Sequence, residues 1–213
     1  MKVTRRASKG ILSATGLLVL LAFALWYVVF VVPAGSFWLK ISVASALLAA
    51  GSLWAMGARR KTLAGFRWVD LPLGALSAAM LHGVFALGRW ILVAILPGAA
   101  SDIGSVYAPR GALPLALIGA LLFLVTGPAE EIFWRGMVQH TLSGRIGAIP
   151  AIAVTSLSYG LVHACTGNLP LVLAALAAGV FWGCLYAWTG RVATVAISHS
   201  IWGLAIFVVF PVA

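Results

Sequence analysis

A chain of 213 residues in which 63% of positions are hydrophobic and only 8% charged, with a mean hydropathy of +1.10, carries more apolar surface than one soluble core can bury. This composition excludes a soluble globular enzyme and requires lipid as solvent. The formal net charge of +10 does not make the chain a nucleic-acid binder, because its basic residues fall between apolar runs instead of gathering on one solvated face.

A membrane-spanning helix takes about 20 predominantly apolar residues, and seven such stretches follow one another. The first, 11–32, comes after Lys2, Arg5, Arg6 and Lys9. It is longer than the roughly 7–15 residues of a signal-peptide core, so a retained helix is expected. The second covers 37–56 and leads into Arg59, Arg60, Lys61 and Arg67. In the third, 71–96, His82 and Arg89 fall on about the same helical face and form a polar seam. The fourth, 113–139, contains Gly127 and Pro128, a pair expected to kink or restart the helix and free backbone groups beside Glu130 and Glu131. His140 then sits at a helix end, solvated at the interface. The fifth, 148–164, carries His163, the sixth is 169–188, and the seventh, 192–210, carries His199. Cys165 and Cys184 lie in or beside apolar segments without metal-ligand spacing and read as small buried hydrophobes. The expected fold class is all-α: a polytopic transmembrane helix bundle of about seven spans, one domain over 1–213 with a chemistry-bearing core at 113–210. There is no internal repeat.

Lys and Arg fall mostly before the first span, between the second and third, and at Arg145 and Arg191, connections of one parity. The positive-inside rule then puts the N-terminus in the cytoplasm and, with seven spans, the C-terminus outside.

The chain has four acidic residues. Asp70 and Asp102 lie in connections, while both glutamates, Glu130 and Glu131, stand side by side inside an apolar segment. A carboxylate near the bilayer centre costs about 2.5 kcal/mol or more, so such groups face the bundle interior and serve a purpose. Arg135, four residues after Glu131 in the favourable helical order, neutralises one carboxylate and leaves the other without a structural reason. Counted from the cytoplasmic span ends at about 1.5 Å per residue, Glu130 lies roughly 14 Å deep, His163 about 22 Å and His199 around 10 Å, within reach of one layer once tilt is allowed for. Two carboxylates and two imidazoles on three helices suit the activation of water.

At these residues the sequence resembles the CPBP family, the CAAX-processing and bacteriocin-processing intramembrane proteases also called Abi. The motif Glu-Glu-x-x-x-Arg stands as Glu130-Glu-Ile-Phe-Trp-Arg135. Phe-x-x-x-His appears as Tyr159-Gly-Leu-Val-His163, with Tyr in place of Phe. His-x-x-x-Asn/Asp appears as His199-Ser-Ile-Trp-Gly203, with glycine where the family has a hydrogen-bonding side chain. The resemblance implies an intramembrane endopeptidase with catalytic Glu130, Glu131, His163 and His199. In it Glu130 activates water with the help of His163, Glu131 and Arg135 orient the site with support from Tyr159, and His199 stabilises the oxyanion. Gly203 leaves that last role one donor short, which Ser200, Trp202 or backbone N–H groups are placed to fill. Family members have been described both as metalloproteases and as glutamate-dependent proteases. Glu130, His163 and His199 are the candidate ligands for a divalent metal such as zinc, and no tightly held metal is the expectation. The implied partners are membrane lipid and a membrane-associated peptide or protein: a CAAX-like tail, a leader peptide, or a C-terminal sorting signal. The Ala/Gly/Leu/Arg-rich composition suggests a bacterial cytoplasmic membrane. The alternative is a catalytically inactive scaffold or immunity protein of the same fold. A proton-coupled transporter is the third class, disfavoured by the absence of a repeat of broken helices.

Overall fold

In lipid, every backbone N–H and C=O must be satisfied within the protein, and a helix does this locally. The computed structural model describes residues 2–58, 63 and 65–212, and among these it contains helices and connections but no strand. The elements are α1 (Lys2–Phe30), α2 (Phe37–Met56), α3 (Asp70–Ile95), a short α4 (Ala99–Val106), α5 (Leu115–Ile146), α6 (Ala148–Leu161), α7 (Leu169–Thr189) and α8 (Val192–Leu204), the last prolonged by a π turn, Ala205–Val209. Seven helices are long and apolar enough to cross a membrane: Gly10–Phe30, Phe37–Met56, Asp70–Ile95, Leu115–Ile146, Ala148–Thr166, Leu169–Thr189 and Val192–Val209. They match the seven expected spans, and the fold is a polytopic helix bundle. Lys2, Arg5, Arg6, Lys9, Arg59, Arg60 and Lys61, which carried most of the charge asymmetry, lie outside the described side chains, so the orientation rests on sequence alone.

The fourth span differs most. It does not end near Gln139 but continues through His140 to Ile146, so His140 is within the helix. Its Nδ1 lies 3.0 Å from the Tyr186 hydroxyl. Gly127 and Pro128 do not break the helix either. Two π-helical stretches, Leu122–Thr126 and Ile132–Gln139, bracket Gly127–Glu131 and absorb the missing proline N–H by widening the coil. The short α4 between the third and fourth spans was not anticipated. It is joined to the start of α7 by Asn168, whose Nδ2 donates to the Asp102 carbonyl (2.7 Å) while its Oδ1 caps α7 at the Leu171 N–H (2.9 Å).

Large apolar side chains point outward, as they must in lipid: Leu20 is 67% exposed and Trp54 85%. Cys165 and Cys184 are exposed too, contrary to the expected burial. With lipid on the outside, helices gain little by hiding apolar surface from one another, and close packing of small residues takes over. On α6 and α7 a Cβ added at Gly179 would come within 3.1 Å of Ser156 Cα, and one at Gly183 within 3.1 Å of Ile152. α3 meets α8 at Gly74, directly against Ile197. The same pair is fastened at one end by buried Asp70, whose carboxylate accepts from Arg191 Nε, the Thr194 hydroxyl and the Arg67 N–H. α8, the carrier of His199, is thereby fixed in height against α3.

Candidate active site

The π stretches aim the middle of α5 at three neighbours. Ser200 on α8 donates to the Phe123 carbonyl (2.8 Å), one of the acceptors that π geometry loosens, and Thr126 pairs with Ser42 of α2 (3.0 Å). Gly127 makes this approach possible: a Cβ there would stand 2.7 Å from Ser200 Oγ, 3.0 Å from Ser200 N and 3.1 Å from the Leu122 carbonyl oxygen. Two of those atoms are backbone and cannot swing away. Gly127→Ala is therefore expected to push α5 from α8 at a cost of about 1–3 kcal/mol, read as a lowered unfolding temperature in detergent.

Glu130 and Glu131 are 5% and 0% exposed, and their surroundings differ in kind. Glu131 Oε1 accepts from Arg135 Nη1 (2.9 Å) and from His199 Nδ1 (2.8 Å), so two basic groups compensate it. Arg135, fully buried, also donates to the Gly179 carbonyl (3.1 Å) and lies over the rings of Tyr159 (5.2 Å) and Trp182 (5.5 Å). His199 is stacked on Trp182, with centroids 4.0 Å apart. Glu130 has neutral hydrogen-bond partners only: the Tyr159 hydroxyl donates to Oε2 (3.0 Å) and Ser45, on α2, to Oε1 at a long 3.4 Å. Tyr159, where the family pattern has Phe, thus supplies a hydrogen bond that phenylalanine cannot. Ser45 was not singled out from sequence, since a serine in an apolar span gives no sign of which face it takes.

His163 belongs to the same cluster but touches neither glutamate through a hydrogen bond. Its Nδ1 faces the Tyr159 carbonyl (2.9 Å), and its Nε2 accepts from Trp26 Nε1 (3.2 Å), a residue of α1 that sequence reading passed over. The Tyr159 and His163 rings meet edge to face, with centroids 5.6 Å apart. The depths counted along the spans change with the observed helix ends. Because α5 runs on to Ile146, Glu130 lies about 24 Å from that end at about 1.5 Å per residue, yet its neighbour Glu131 bonds His199, only about 10 Å along α8.

As placed, the three candidate metal ligands do not converge. Both His163 nitrogens have partners within the protein, His199 Nδ1 is turned to Glu131, and among the described residues no group of three or more His, Cys, Asp or Glu is arranged to hold a metal ion. Nor is the expected seam of His82 and Arg89 joined by a hydrogen bond: His82 Nδ1 and Arg89 Nε are each buried without a partner.

At the third motif, a Cβ on Gly203 would meet only Leu122, at an ordinary 3.9 Å, so glycine is not required there by packing at Cβ. Of the candidates to compensate, the Ser200 hydroxyl is committed to Phe123, whereas the Trp202 indole N–H is buried and unpartnered. An apolar cavity of about 370 Å³ adjoins this part of α5, lined by Pro128, Ile132, Val192 and Ala196 among others.

Compared with known proteins, residues 112–205 match a family model described as "Rce1-like: Type II CAAX prenyl endopeptidase Rce1-like". The match spans all three motifs and is consistent with the resemblance to the CPBP family that they carry. Neither curated proteins nor solved structures yielded a match.

Proposed function

We propose that this chain, which resembles the CPBP proteases in its motifs and matches an Rce1-like family model over residues 112–205, is an intramembrane endopeptidase in which Glu130 activates water. The observation that carries this reading is the division between the two glutamates. Glu131 is held by Arg135 and His199, while Glu130 is bound only by the hydroxyls of Tyr159 and Ser45. A buried carboxylate without a directly paired cation remains available as a proton acceptor, and a structural ion pair would have no use for it.

In this reading Glu130 takes a proton from water as the water oxygen bonds to the carbonyl carbon of the scissile peptide. The tetrahedral intermediate collapses with cleavage of the C–N bond, and the proton passes to the leaving amine, giving a carboxylic acid and an amine. Glu131 and Arg135 fix His199, whose outer nitrogen, as imidazolium, and the spare Trp202 N–H supply donors for the oxyanion. Tyr159 orients Glu130. The substrate is a membrane-associated peptide or protein bearing a leader, a C-terminal sorting signal or a CAAX-like tail, cut in a bacterial cytoplasmic membrane with the N-terminus of the enzyme in the cytoplasm.

The test is cleavage of prenylated peptides, leader peptides and sorting tails in vesicles by wild-type protein beside Glu130→Gln, with and without a chelator. Cleavage by the wild type alone supports the assignment, and loss of it with chelator would bring a metal into the site. Tyr159→Phe restores the family residue and removes one hydrogen bond to the base. It is expected to fold normally and to lower turnover by roughly tenfold or less, since one such bond contributes about 1 kcal/mol. A loss as complete as that of Glu130→Gln would make Tyr159 itself the proton carrier. The inactive scaffold has one observation in its favour, the missing side chain at Gly203.

A further inference from the structure

His163 has two ring nitrogens, and both partners dictate its state. An indole nitrogen only donates and a carbonyl only accepts. Trp26 at Nε2 and the Tyr159 carbonyl at Nδ1 therefore fix a neutral ring with its proton on Nδ1 and its lone pair on Nε2. That lone pair is the group with which His163 would receive a proton or orient a water beside Glu130, and Trp26 occupies it. Trp26 is fully buried and Phe30, one turn on, packs edge to face on the same imidazole, with centroids 5.4 Å apart.

We propose that Trp26 is the gate residue of the site: its indole N–H holds the place at His163 Nε2 that the attacking water takes, and α1 turns to admit that water. The inference deepens the endopeptidase reading and rests on it, with His163 helping Glu130 to activate water as the family resemblance implies. α1 is suited to the motion. It packs chiefly against α2, and 17% of its most apolar stretch is buried, against 11% for α3, 44% for α2 and 50% for the last span. Lys40 of α2 donates to the carbonyls of Val28 and Val32 and so fastens the end of α1. Trp26 stands within one turn of that fastened end, so the gate opens by a turn of α1 about its own axis, which swings the indole off Nε2 without departure of the helix. Opening would also expose the ring of His163 on the side where α1 now lies, giving water a route to Glu130 between α1 and α6.

Trp182 offers an internal standard. It is as fully buried as Trp26 and likewise donates a 3.2 Å hydrogen bond, to Ser198 Oγ, but in the middle of the bundle. In the full-length protein in detergent, with nitrogen-15 in its indoles, the Trp26 N–H is expected to exchange with deuterated water roughly tenfold or more faster than that of Trp182; equal or slower exchange would mean a static contact and overturn the gate. Trp26→Phe, which keeps a ring and loses the donor, assigns the signal. It is expected to raise turnover roughly two- to fivefold on any peptide the wild type cuts, with gating as the slow step, whereas a fall would make Trp26 a support of His163. Since exchange needs no substrate, failure of the gate is read separately from failure of the endopeptidase reading, which would appear as no cleavage by any form.

Discussion

Glu130→Gln is expected to lower peptide cleavage by about 10³-fold, in the range found when a positioned general base is lost, while leaving the protein folded. Glutamine has the volume of glutamate, and its amide oxygen can still accept from the Tyr159 hydroxyl or from Ser45. What disappears is the proton acceptor. No arginine or histidine is left unpaired by the change, because Arg135 and His199 are bonded to the neighbouring carboxylate. Cleavage assays paired with size-exclusion profiles and thermal unfolding would separate the two effects. Retained cleavage removes Glu130 from the chemistry, and a collapsed fold would mean that its role is structural.

Arg135→Met is expected to destabilise the bundle by about 3–5 kcal/mol, the cost of stranding the other member of a buried ion pair. Arg135 and Glu131 are both fully buried, and the guanidinium also ties α5 to the Gly179 carbonyl of α7. Without it, Glu131 keeps only His199. Adding Glu131→Gln should recover roughly half of the loss, since no buried carboxylate is then left without its guanidinium. Unfolding in mixed micelles would measure both. A single variant within about 1 kcal/mol of wild type would show that the pair contributes little to the fold.

The spans were legible because lipid imposes a length and a composition that few other constraints imitate. The same logic failed at residues 140–146, where His140, Thr141, Ser143 and Arg145 read as a connection; the helix continues there because interfacial depth tolerates polar side chains. The carboxylates, His199 and Arg135 were legible as a set because ionisable groups in apolar runs need partners, and the structure pairs Glu131 with Arg135 and His199. Their partners among ordinary residues were not. Trp26 lies 137 positions from His163, and a tryptophan in an apolar run looks like any other lipid-facing or packing residue. The π stretches around Gly127–Glu131 also escaped notice. Proline signals the removal of a hydrogen bond, but whether a helix breaks or widens depends on neighbours, here Ser200 against Phe123.

The length of α5 ties the site to its solvent. Its 32 residues extend about 48 Å, well beyond a hydrocarbon layer of about 30 Å even with tilt. With Glu130 near its middle, the distance from the carboxylate to either headgroup plane is set by acyl-chain length as well as by the protein. If Glu130 activates water as proposed, a peptide tethered at the membrane surface would be measured against lipid thickness, with the bilayer itself acting as a ruler for which bond reaches that water.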